Sequence, residues 1–286
     1  MKRFESWPVL PHEIAFGAFL AATLVRLIPT LGFFSPVTVL YLGLLVVAAA
    51  LIVWCRKIPS DLRWRVRFGF YPIAMNAAYF VLGTAIPAFH PGKEDAWLQH
   101  LDSTLIGGNA SLWMQRLTHP LLTDFLSACY FLFFPGLLLC WLHYFRRELP
   151  VLRAFIIGQF MIYGIGFLGY TLVPALGPYL DPALASQFTV PLDGGWITRL
   201  NQHAVASGSN KVDVFPSLHC AISAFILFFH RVHAPRRFRW ALVPTIGLWV
   251  ATVYLRYHYF VDVLAGFALA AFALRLVRSE KSSASK

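Results

Sequence analysis

The chain of 286 residues is short of charge: Asp, Glu, Lys and Arg make up only 13% of it, about half the roughly 25% of an average soluble domain. That shortage excludes an ordinary water-soluble globular protein and a disordered chain. Four cysteines, Cys55, Cys129, Cys140 and Cys220, fall in or beside apolar stretches and form no C-x-x-C pair. A disulfide scaffold is therefore excluded, and the cysteines offer no metal-binding spacing. Nothing in the chain repeats, and no low-complexity tract or flexible linker divides it before the polar tail at 279–286.

Apolar residues are abundant instead, at 58%. A helix needs roughly 20 of them to cross a bilayer, and runs of that kind recur from end to end. Hydropathy places eight candidate spans near 13–29, 37–54, 69–87, 121–143, 154–173, 218–233, 240–256 and 259–277, which defines an all-α polytopic membrane bundle. Lys2 and Arg3 ahead of an apolar stretch resemble a signal peptide, but no cleavage site follows and the stretch reads as an uncleaved first span.

The net charge of +11 is a topology signal and not a nucleic-acid footprint, because the basic residues collect on alternate connections. Lys2 and Arg3 are followed by Arg56, Lys57, Arg63, Arg65 and Arg67, by Arg146, Arg147 and Arg153, by Arg231, Arg236, Arg237 and Arg239, and by Arg275, Arg278, Lys281 and Lys286. The positive-inside rule puts those loops and both termini in the cytoplasm. The other face, toward the periplasm, exterior or lumen, receives the long connections 88–120 and 174–217 and the turn at 256–259. The first of these is amphipathic, with Trp97, Leu98, Leu101, Leu105, Leu112, Trp113 and Leu117 spaced for helices lying in the interface. The expected organisation is two accessory spans over 1–68, a six-span catalytic domain over 69–278 and a polar cytoplasmic tail over 279–286.

Two segments bring ionisable groups to the membrane edge on that face. Asp213-Val214-Phe215-Pro216-Ser217-Leu218-His219 opens the sixth span, and Arg256-Tyr257-His258-Tyr259-Phe260-Val261-Asp262 turns from the seventh into the eighth. His219 and His258 lie 39 positions apart, enough to cross the bilayer and return, so both histidines reach one level. His258 and Asp262, four apart, share a helix face. The carboxylate can hold the Nδ1 proton and leave Nε2 free as nucleophile or base. Ser217 after Pro216 suits a helix start, and such a start attracts phosphate. A buried Asp in a span is costly without a partner or function, which sets this trio apart from His12, His90, His100, His119, His143, His203, His230 and His233, read as interfacial polar residues. Two His and one Asp are also acceptable zinc ligands, a competing reading of the same trio.

The pair P-S-x-H and H-x-x-x-D, with a span out and back between them, resembles the second and third signature motifs of the type 2 phosphatidic acid phosphatase superfamily. Phe215 to His219, and Tyr257 through Asp262 to Gly266, resemble its inositol phosphorylceramide synthase-like branch, as do Asp102 with Leu105 and Gly107 and the run Pro174 to Tyr179. The resemblance covers roughly residues 95–270. It implies a six-helix core and phosphoryl transfer without metal or other cofactor, with membrane lipids as partners and substrates. His258 would attack phosphorus to form a phosphohistidine, Asp262 would orient it, His219 would protonate the leaving oxygen and Ser217 would hold a phosphate oxygen. Water as second acceptor makes a lipid phosphate or diphosphate phosphatase, and a lipid or sugar hydroxyl makes a transferase.

Two departures bear on that choice. Phosphatases of the superfamily carry K-x-x-x-x-x-x-R-P, and no Arg-Pro pair occurs here; their third motif has an Arg six residues before the nucleophile, where this chain has Thr252. Replacement cations on the right face are Arg256, Lys211, Arg199, Arg116 and Lys93, with Arg256 and Lys211 favoured because they flank the histidine motifs. Loss of the clamps favours phosphodiester substrates, with one fewer negative charge, and hence headgroup transfer. Asp102, Tyr179 and Tyr257 are the expected headgroup contacts, within an aromatic set that also includes Trp196 and Tyr259. A transporter or scramblase using the trio as a proton relay is the alternative from another class, and it lacks the repeat such folds carry. Neither the lipid nor the oligomeric state is fixed by the sequence.

Overall fold

The computed structural model describes residues 9–284 and is all-helical over them. Lys2, Arg3 and Lys286 lie outside the described residues. The helices are α1 (Pro11–Leu31), α2 (Pro36–Lys57), α3 (Asp61–Phe80), α4 (Leu82–Phe89), α5 (Asp95–Ile106), α6 (Ala110–Met114), α7 (Pro120–Phe131), α8 (Phe133–Phe145), α9 (Leu149–Leu172), α10 (Pro182–Ala185), α11 (Trp196–Gly208), α12 (Leu218–His233), α13 (Pro235–Tyr254) and α14 (Phe260–Ala284). The tail expected from residue 279 is described as the end of α14.

Starts follow local chemistry. Pro opens α1, α2, α7 and α13, where its missing N–H costs nothing. Glu13 reaches back to accept the Leu10 N–H at 2.6 Å, and Ser60 accepts the Arg63 N–H at 3.3 Å.

Five stretches are long and apolar enough to cross a membrane: α1, α2, α7 continued by α8, α9, and α14 up to Arg278. α3 and α4 make a sixth only as a pair bent by 55°. The two remaining expected spans are helices as well. However, α12 has 16 residues, about 24 Å of rise, and α13 begins with Arg236, Arg237 and Arg239. The bend between α3 and α4 frees backbone groups, which inside a membrane protein need partners. Asn210 supplies them, donating to the Tyr79 carbonyl at 2.9 Å and accepting the Gly83 N–H at 3.2 Å.

α9 is the central helix, with α1, α3, α12 and α14 packed around it. Phe16, Phe19, Phe68, Phe160, Phe167 and Phe225 fill the space between them. α1 and α3 are also joined by charge. Arg67 donates to Glu13 through Nε at 2.7 Å and Nη2 at 2.5 Å, with Tyr71 on the same carboxylate at 3.1 Å. Both side chains are 1% exposed. Arg67, read from sequence as a loop charge, therefore lies inside the bundle. A buried carboxylate in α1 offsets its desolvation. The boundary expected at 68/69 falls within α3, whose first turns bind α1 and whose last turns line the cavity described next.

Candidate active site

His219 sits in the first turn of α12, which Ser217 caps by accepting the Cys220 N–H at 3.4 Å. Opposite it, α13 ends in a turn closed by the Thr252 carbonyl, which accepts from the N–H groups of both Tyr257 and His258 at 3.0 Å. Arg256 takes the left-handed conformation there, at φ +67°. Asp102 of α5 then receives the start of α14, accepting from Phe260 at 2.9 Å and Val261 at 2.8 Å. Asp262 accepts the Tyr259 N–H at 2.8 Å through Oδ2, and the same oxygen stands 3.4 Å from His258 Nδ1. The imidazole rings of His219 and His258 meet edge to face, 5.8 Å between centroids.

Backbone contacts set this spacing. The Ser217 N–H donates to the Asp262 carbonyl at 3.0 Å. Gly266 lets α14 approach so closely that a Cβ there would lie 2.5 Å from the Ser217 oxygen. Gly177, at φ +84°, likewise passes against the Tyr257 carbonyl, in a conformation that L side chains seldom adopt.

Both histidines lie at one end of a cavity of about 530 Å³, lined by α3, α7, α8 and α9 and by the loops before α12. Its walls are mainly apolar and aromatic and reach Trp141, with Asn76, Ser209 and Asp213 as polar members. Phe80, Phe134 and Leu138 belong to the lining and are 72%, 46% and 57% exposed on the flank of the bundle, so the cavity opens sideways between α3 and α8. Tyr130 and Phe133 stack around His219 at centroid distances of 4.7 and 4.9 Å, and the Tyr130 hydroxyl is 3.4 Å from His219 Nδ1.

Burial lowers His258 from its ordinary 6.5 to about 4, while the Asp213 charge and the Val214 carbonyl pull the other way. The imidazole is therefore neutral at physiological pH, the form a nucleophile needs. Asp102 is pushed up by burial and drawn back by the two N–H groups it caps.

The remaining expected residues divide. Tyr179 and Tyr257 line the cavity, 5.3 Å apart edge to face, and Asn201 donates to the Tyr257 hydroxyl at 3.2 Å. Asp102, expected as a headgroup contact, is fully buried, does not line the cavity and accepts the α14 cap. Ser217 is also fully buried, with its hydroxyl on the α12 cap, and does not line the cavity. Arg256 turns away, donating to the Val190 carbonyl at 2.5 Å and lying over Phe188 at 4.0 Å. Lys211, Arg199 and Arg116 are exposed, Lys93 is half-buried, and none of them lines the cavity. Trp196 is exposed, and Tyr259 donates to Asp95 at 2.9 Å. Sequence reasoning missed Tyr79 and Tyr130 as lining residues, since a Tyr in an apolar run looks like an interfacial belt residue, and it left Asp213 unassigned. Among the described residues no three His, Cys, Asp or Glu side chains gather as a metal-binding group.

An integral membrane helical bundle with paired histidines at the head of a laterally open apolar cavity is the class that fold and site define. The family model of the PAP2 superfamily matches residues 96–276, more than half of the chain, and the chain belongs to that superfamily, whose members are phosphatases and phosphotransferases. The match runs from α5 into α14 and includes His219, His258 and Asp262. No curated protein and no solved structure matches the chain.

Proposed function

We propose that the protein is a lipid phosphotransferase of the inositol phosphorylceramide synthase-like type, moving a phosphorylated headgroup through a phosphohistidine on the non-cytoplasmic face, with both termini in the cytoplasm. The observation that carries this reading is the placement of His219 and His258, ring to ring, where a sideways-open apolar cavity ends. Such a cavity admits acyl chains from the bilayer while the headgroup meets the histidines. In the first step His258 Nε2 attacks phosphorus, the P–O bond to the lipid breaks, and His219 protonates the departing oxygen. In the second, an acceptor hydroxyl gives its proton to His219 and its oxygen to phosphorus, releasing His258.

Asp262 orients His258 by accepting a hydrogen bond from its Nδ1–H, which stays on the ring. Its contact of 3.4 Å is long, as catalytic hydrogen bonds often are before substrate closes them. No Lys or Arg lines the described cavity, so the backbone N–H groups at the start of α12, where Leu218 and His219 face the cavity, are the phosphate cradle. A site without cationic clamps suits a phosphodiester better than a dianionic monoester.

The test is product analysis by mass spectrometry on purified protein in detergent with chelator present. Phosphatidic acid, a lipid diphosphate and phosphatidylinositol are each supplied with and without ceramide or diacylglycerol. A new phospholipid that forms only when donor and acceptor are both present is the expected result. Free phosphate from the first two lipids, indifferent to acceptor, would make the protein a phosphatase.

A further inference from the structure

We propose that Asp213 selects the lipid headgroup, taking a phosphodiester headgroup that carries hydrogen-bond donors and turning away a bare phosphate monoester. The inference rests on the reading of the cavity as the substrate site. Asp213 lies six residues before His219 in the loop leading into α12, is half-buried, and lines the cavity together with both histidines. Two donors hold it in place: the Tyr79 hydroxyl at 2.5 Å on Oδ2 and the Ser209 hydroxyl at 3.2 Å on Oδ1. A carboxylate offers about four acceptor positions, so capacity for donors from a ligand is left.

The charge on the cavity lining is one-sided. Asp213 is the sole Asp or Glu among the described lining residues, which include no Lys or Arg. Lys93 is near enough to feel both Asp95 and Asp213 but stands outside the lining. Within a cavity of low dielectric, the carboxylate repels a phosphate monoester dianion about twice as strongly as a diester monoanion at the same distance. Hydroxyl or ammonium groups on the headgroup reverse the balance by donating to Asp213, and phosphatidic acid has neither. An apolar or absent headgroup would leave the remaining acceptor positions of the same carboxylate unused, which is how a polar site rejects an analogue lacking its donors.

The test measures binding, apart from turnover, on full-length His258→Ala protein in detergent. Phosphatidylinositol, phosphatidylethanolamine and phosphatidic acid with matched acyl chains compete, and bound lipid is counted by native mass spectrometry. The two donor-bearing lipids distinguish hydroxyl from ammonium recognition. At least one is expected to bind about tenfold or more tightly than phosphatidic acid, and Asp213→Asn to bring the ratio to about threefold or less. Tyr79→Phe, which removes a neighbour and keeps the carboxylate, retains the preference and controls for disturbance of the loop. Equal binding of phosphatidic acid with Asp213 present, or a preference that survives Asp213→Asn, overturns the proposal. Binding of none of the lipids overturns both the proposal and the reading beneath it, whereas turnover persisting in His258→Ala removes the nucleophile alone and leaves the binding result intact.

Discussion

The Ser217 N–H donates to the Asp262 carbonyl at 3.0 Å, and this bond ties the segment bearing His219 to the segment bearing His258. The histidines are therefore spaced by backbone contact, with Gly266 allowing the approach. Gly266→Ala would drive a Cβ into the Ser217 carbonyl, at a cost of about 1–3 kcal/mol. Thermal unfolding in detergent should register that loss together with reduced turnover. Gly136→Ala, where a Cβ meets nothing within 4 Å, should be neutral or slightly stabilising.

Asp102 acts on the site through α14. Removing its carboxylate leaves the Phe260 and Val261 N–H groups without their cap, and Asp102→Ala should lower stability by about 1–2 kcal/mol. Turnover should fall with it, because the turn holding His258 and Asp262 loosens. Asp102→Asn keeps one acceptor oxygen and should lie between wild type and Ala in both melting temperature and rate. A fully active Asp102→Ala protein of unchanged melting temperature would remove this positioning role.

Asp262 accepts the Tyr259 N–H at 2.8 Å, and the proposed mechanism gives it a second task, orienting His258 across the 3.4 Å contact. Asp262→Asn preserves the first if its amide oxygen faces Tyr259, and loses the second. Turnover should drop by up to about 10⁴-fold, the scale seen when an orienting carboxylate is neutralised in a catalytic triad. Circular dichroism and elution volume should stay unchanged.

The pH profile follows from His258. A nucleophile must be neutral, and a value lowered to about 4 keeps it neutral well below the ordinary 6.5. Plots of kcat/KM against pH should therefore show no acid limb from this residue near 6.5, and should fall as pH drops through about 4. Asp213→Asn deletes a charge that raises His258 and should move the limb lower still. A limb near 6.5 in both proteins would contradict the buried, neutral nucleophile.

The helical bundle and the His219, His258 and Asp262 grouping were legible in the sequence because both depend on local spacing: apolar runs of helical length, and a four-residue interval on one helix face. The destinations of long side chains were not. Arg256 follows Leu255 into a left-handed turn that aims its guanidinium at Phe188 and Val190, distant in sequence. Arg67 falls in a run of basic residues that reads as a loop charge, and only the packing of α1 against α3 puts Glu13 beside it. Asp102 meets its partners 158 and 159 residues away. Asp262 looked unexplained by structure alone, yet part of its cost is offset by the cap it gives Tyr259.

The central claim is that His258 carries the phosphorylated headgroup. The most direct test incubates purified protein with a donor lipid labelled at phosphorus, quenches in alkali and maps the labelled peptide. An acid-labile, alkali-stable label is expected at His258 and absent from His258→Ala protein, which should also form no product. Product formed at the wild-type rate by folded His258→Ala protein would contradict it.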